Sequence, residues 1–157
     1  MTTTPPSGPR TSVEETHEEL IGRLGRMLLD LVPDQGWRRI DLVSVMTVPV
    51  QDLGLTVIMN DGSKPDVTPP KELNLVLARL RTLLYEPGRG TWFSARVSMD
   101  PPGRIFYNYN MDHEPTLLGP IEAEHYAEDL TMFPRDEEHM PDWLSARLAE
   151  VNAGEEG

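Results

Sequence analysis

Two stretches of alternating hydrophobicity, each folding back at a turn signal, constrain this chain more than any other feature. The clearer one reads TWFSARVSMD, PPGR, IFYNYNMD from Thr91 to Asp112. Phe93, Ala95, Val97 and Met99 alternate with Trp92, Ser94, Arg96 and Ser98, and Pro101, Pro102 and Gly103 supply the reversal. The return segment sets Ile105, Tyr107 and Tyr109 against Phe106, Asn108 and Asn110. Upstream, Ile40, Leu42, Ser44 and Met46 alternate with Trp37, Arg39, Asp41, Val43 and Val45. After a break at Pro49 to Asp52, Leu53, Leu55, Val57 and Met59 alternate again and end at Asn60-Asp61-Gly62. Paired strands with short connections predict antiparallel hairpins.

Each hairpin follows a helical stripe. Leu20, Ile21, Leu24, Met27, Leu28 and Leu31 recur at helical spacing, stopped by Pro33 and Gly36. Ser12 and Glu15 have the S-x-x-E spacing of a capping box at its start, with Glu14, Glu15, Glu18 and Glu19 complementing the helix dipole. Leu73, Val76, Leu77, Leu80, Leu83 and Leu84 form the second stripe, entered at Thr68-Pro69-Pro70 and ended by Pro87 and Gly88. The order α-β-β-α-β-β lacks the strand-helix-strand alternation of a parallel sheet. An α+β fold is expected: an antiparallel four-stranded sheet packed with helices, followed by acidic C-terminal helices. Of these, Ile121 to Phe133 ends at Pro134, and another helix begins near Pro141 with Leu144, Leu148 and Val151 on its apolar side. Residues 1–12, rich in Pro and Thr, are expected to be a disordered leader, residues 13–152 one domain, and residues 153–157 a frayed end.

Charge is distributed unevenly. Residues 112–157 hold 13 Asp and Glu against 2 Arg, a balance of −11, whereas residues 1–111 hold 13 against 12, a balance of −1. A negative surface repels phosphate backbones and speeds encounter with cationic partners. A basic protein partner is therefore expected, and nucleic acid is not. The chain has no cysteine, which removes disulfides, thiolate metal sites and cysteine nucleophiles. No apolar run of transmembrane length occurs and the first residues lack a secretory pattern, so a cytoplasmic protein without membrane contact is expected.

Catalytic constellations are not evident. His113, His125 and His139 have carboxylates nearby in sequence, a set that metal sites use, but no compact ligand motif spaces them. A metal-dependent hydrolase built on them is the alternative reading. Pro87 to Gly90 reads as a turn and not a phosphate cradle, and Glu124 and Glu128, four apart, read as solvated helix charge. Tyr107, Asn108, Tyr109 and Asn110 offer contact area and adaptable hydrogen bonds, although the Ile105, Tyr107, Tyr109 side is expected to be largely structural. No cofactor and no catalytic or metal-binding residue is assigned.

The order of helix, Trp-led strand pair and helix, followed by GTWFSARVSMDPPGRIFYNYNMD, resembles the YezG-like immunity proteins of bacterial polymorphic toxin systems. The likeness is strongest over Gly90 to Asp112 and weaker over Gly36 to Asp41. The tail EHYAEDLTMFPRDEEHMPDWL, Glu124 to Leu144, is similar to the ends of actinobacterial proteins encoded beside secreted toxins. The resemblance implies a small α+β protein, not an enzyme, that binds one cognate toxin, a nuclease or an NAD-degrading enzyme, and occludes its active site or blocks its folding. A toxin-secretion chaperone is a further alternative. No contact residue transfers from the family. From charge and aromatic content, the expected partner-binding residues are Glu122, Glu124, Tyr126, Glu128, Asp129, Asp136, Glu137, Glu138, Asp142 and Trp143.

Overall fold

The computed structural model describes residues 15–156; the expected leader over residues 1–12, with Ser12, lies outside them, as do Glu14 and Gly157. Helix α1 (His17–Leu29) begins four residues later than the S-x-x-E spacing suggests. Thr16 is the N-cap: its hydroxyl accepts the Glu19 N–H at 3.1 Å, and the Glu19 carboxylate accepts the Thr16 N–H at 2.9 Å. Glu15 therefore precedes the helix, where it accepts from Arg23 and, at 2.9 Å, from Arg79 of α2 (Glu72–Leu83). Helix α2 likewise begins later than expected, with Lys71 and not Thr68 at its N-cap and no side chain capping it.

Strands β1 (Trp37–Met46), β2 (Gln51–Met59), β3 (Ser94–Asp100) and β4 (Arg104–Asn110) form the expected four-stranded antiparallel sheet in the order β2-β1-β3-β4. The two hairpins meet through β1 and β3. Because directly opposed residues share a face, Ile40 lines up with Val57, Met99 and Ile105, and Leu42 with Leu55, Val97 and Tyr107. Helices α1 and α2 cover this inner face, and Leu20, Leu24, Leu28, Leu73, Leu77 and Leu80 are buried against it. One residue departs from simple alternation. Trp37 is expected opposite Ile40, yet a register shift between Trp37 and Arg39 carries the indole into the same core.

The outer face is polar toward one end, where Arg96 and the Ser98 hydroxyl both donate to the Asp41 carboxylate. At the other end Val43, Val45 and Phe93 are covered by α3 (Ala123–Met132) and α4 (Asp142–Glu156). The connection from β4 crosses this face with Leu118 over Gly54, where a β-carbon would sit 2.9 Å from a leucine methyl. Between α3 and α4 lies the short 3₁₀ turn Glu137–His139. Helix α4 runs to Glu156, so helical backbone extends into the segment expected to fray. No helix among the described residues is long and apolar enough to cross a membrane.

Candidate interaction surface

The acidic C-terminal segment is fastened to the sheet by two buried arginines. Arg81 lies in step with the apolar stripe of α2, four residues beyond Leu77, and so points inward. Its Nη2 donates to Asp129 Oδ2 at 2.7 Å, Nη1 to Oδ1 at 2.5 Å, and Nε to the Trp92 carbonyl at 2.6 Å. Asp129 also accepts the Val48 N–H at 2.7 Å, and the Arg81 guanidinium lies over Phe93 and Phe133. Each charge thus has several partners, which offset the desolvation of a buried ion pair.

Arg135, just past α3, is the second fastening. Its guanidinium donates to the carbonyls of Thr91, Met111 and His139 and to the Asp112 carboxylate, and lies 5.0 Å from the Phe93 ring centre. Burial lowers its pKa below the ordinary arginine value, against the opposing effect of Asp112. The glycine-rich turn after α2 is shaped around this side chain. Gly90 presents bare backbone to Arg135, and the Gly88 carbonyl accepts the Asp136 N–H at 2.5 Å.

Three of the expected partner-binding residues are engaged in interior packing. Tyr126 is fully buried, edge-on to Phe93 and Trp143, and burial followed by the nearby Glu114 charge raises its hydroxyl pKa. Asp129 is 1% exposed, because Arg81 draws it inward from the edge of the apolar face of α3. Trp143 is half-buried; its indole N–H donates to the Asp112 carbonyl at 2.8 Å, and it packs α4 onto Phe93. The other seven, Glu122, Glu124, Glu128, Asp136, Glu137, Glu138 and Asp142, are all exposed.

Two clefts flank the ridge Pro120 to Glu122. One, of about 350 Å³, is lined by Asp52 beside Glu122 and His125. The other, of about 580 Å³, is lined by Glu122, Glu124, Glu150 and Arg147, and Arg147 is itself paired with Glu114 and Glu150. Carboxylates therefore outnumber free cationic groups in both, an arrangement that suits cationic side chains of a partner. The place of Asp52 in this cleft leaves no mark in the sequence, because it lies 70 residues before Glu122, in a strand with no acidic pattern of its own.

The histidines do not assemble into one centre. His113 lies beside Asn110, whose side-chain oxygen accepts the His113 backbone N–H, and His125 lines the smaller cleft. His139 stands with Asp136 and Glu138, one potential ligand atom from each lying within 4.8 Å of the others. Its Nδ1 is 3.2 Å from the Gly88 carbonyl, so a proton held there leaves Nε2 as the free ring nitrogen. Scans against protein-family models and against curated proteins return no match for this chain.

Proposed function

We propose that this protein is an immunity protein that binds a cognate secreted bacterial toxin, such as a nuclease or NAD-degrading enzyme, and neutralises it by covering its active site. The observation that carries the reading is the exposure of Glu122, Glu124, Glu128, Asp136, Glu137, Glu138 and Asp142 on a segment that buried arginines hold to the sheet. A pre-ordered acidic surface loses little freedom on binding and steers a basic cleft toward it. Substrate clefts that hold phosphate groups are basic, which matches the expected toxin chemistries. The resemblance of the Gly90 to Asp112 segment to YezG-like immunity proteins supports the same reading. The revised contact set omits Tyr126, Asp129 and Trp143, which serve the interior, and adds Asp52.

The test is a pull-down from the source cells with the tagged protein at low and high salt. One basic partner, released as salt rises and rendered harmless in cells by co-expression, is the expected result. A partner that stays toxic on co-expression but needs this protein for export overturns the reading in favour of a secretion chaperone. A second reading, a metal-dependent hydrolase, draws on the Asp136, Glu138 and His139 grouping. Stoichiometric zinc or manganese in the purified protein, lost together with a hydrolytic activity in His139→Ala, would favour it.

A further inference from the structure

We infer that the free edge of β4 receives an extended segment of a partner protein as a fifth strand of the sheet. Strand β4 is terminal in the order β2-β1-β3-β4, so among the described residues one of its backbone edges is unpaired. Its seven residues pair with β3 in unbroken register from Arg104 to Asn110, without a bulge to twist the edge away. Edges that avoid partners usually carry a proline, central charges or a bulge. Here the only charge is Arg104 at one end, and the middle of the strand is Phe106-Tyr107.

Those two side chains lie on opposite faces and are about equally exposed, at 46% and 45%. On the inner side Tyr107 is braced by the His17 ring at 5.1 Å, and His17 Nε2 is 2.7 Å from the Tyr109 hydroxyl, which forms a fixed aromatic wall. On the outer side Phe106 stands between the exposed Arg104 and Asn108. The row of N–H and C=O groups that no described residue pairs admits one kind of occupant, an extended chain, and seven residues offer about 23 Å of it. The side chains define its chemistry: an apolar residue beside Phe106, a carboxylate within reach of Arg104, and a residue on the other face packing on Tyr107. A second copy of this chain is disfavoured, because each carries a net charge of −12. This inference concerns a surface other than the acidic one and stands independently of the immunity reading.

The test is selection of a phage-displayed library of random nine-residue peptides on the full chain, followed by amide hydrogen exchange with the best synthetic peptide. The expected peptides alternate apolar and polar residues and slow exchange at alternate amides between Ile105 and Asn110 by tenfold or more. Phe106→Lys is expected to weaken binding at least tenfold, whereas Leu75→Lys, on the far side of α2, leaves it within twofold. Peptides that protect another surface, or a library that yields none, would overturn the inference. So would alternate β4 amides already protected in the free protein, whether that protection is removed by dilution or by deletion of residues 1–14.

Discussion

Arg81 and Asp129, 48 residues apart in the chain, meet in a paired hydrogen-bonded contact in which both side chains are 2% exposed. The contact joins α2 to α3 across Phe93, so it holds the acidic segment against the sheet. Removing one partner strands a buried charge, which costs about 3–5 kcal/mol. Asp129→Ala is therefore expected to lower unfolding free energy by that amount in urea titrations. Replacing both, as Arg81→Met with Asp129→Leu, is expected to recover at least half of the loss, because no unpaired charge remains. A double variant as unstable as the single one would show that the pair contributes more than mutual neutralisation.

The exposed acids at the N-cap of α3 and along it behave differently. Glu122, Glu124 and Glu128 face solvent, and the structure shows no ion pair to any of them among the described residues. Changing all three to Gln is expected to move stability by no more than about 0.5 kcal/mol per site. The same change is expected to slow association with a basic partner about tenfold at low salt, with the difference shrinking as salt screens the surface. Stopped-flow association rates across a salt series check this; a rate that is unchanged at low salt removes this face from the interface.

The sheet was legible in the sequence because alternation in β1, β2 and β3 reflects faces that are buried unequally. The order of elements followed from the two hairpin signals. Two kinds of feature were not legible. Trp37 reaches the core through a register shift, which period-two counting has no means to register. Asp129 was expected among the partner-facing acids of the C-terminal helices, and only the tertiary position of Arg81 turns it inward. Within the candidate surface, the acids were visible as composition, but which were exposed depended on contacts with residues tens of positions away. Arg81 itself left a signal, a charged residue in register with Leu77, Leu80 and Leu84, that composition alone does not weigh.

The turn after α2 allows a controlled comparison between glycines. Gly90 has φ of +97°, and a β-carbon there would lie 2.4 Å from Arg135 Nε. The guanidinium is held by three backbone carbonyls and cannot move aside without breaking bonds in the interior. Gly62 has a similar φ of +87°, but nothing lies within 4 Å of its β-carbon position. Gly62→Ala thus isolates the backbone cost of the left-handed conformation, about 1–2 kcal/mol. Gly90→Ala is expected to cost at least about 2 kcal/mol more, since displacement of Arg135 leaves buried polar groups unpaired. Equal losses for the two variants would mean that Arg135 relaxes freely.

Asp41, on the outer face of β1, provides a test against pH. Its carboxylate accepts from Arg96 at 2.7 and 3.1 Å and from the Ser98 hydroxyl at 2.9 Å. The Arg96 hydrogen bonds, ahead of the opposing effect of burial, hold its pKa below the ordinary aspartate value. A carboxylate with a depressed folded-state pKa contributes stability that is fully present above its unfolded value, about 3.9. That contribution fades as pH falls through 3.9 toward the folded value, where both states become protonated. Asp41→Asn is thus expected to cost about 1 kcal/mol at pH 7, a modest figure because Arg96 is largely exposed to solvent. Urea titrations of both proteins at descending pH are expected to show the gap closing below about pH 4, as the wild-type carboxylate gains the proton that removes its advantage. A gap that stays constant or widens on acidification would assign the stabilisation to strand packing in place of the Asp41 charge.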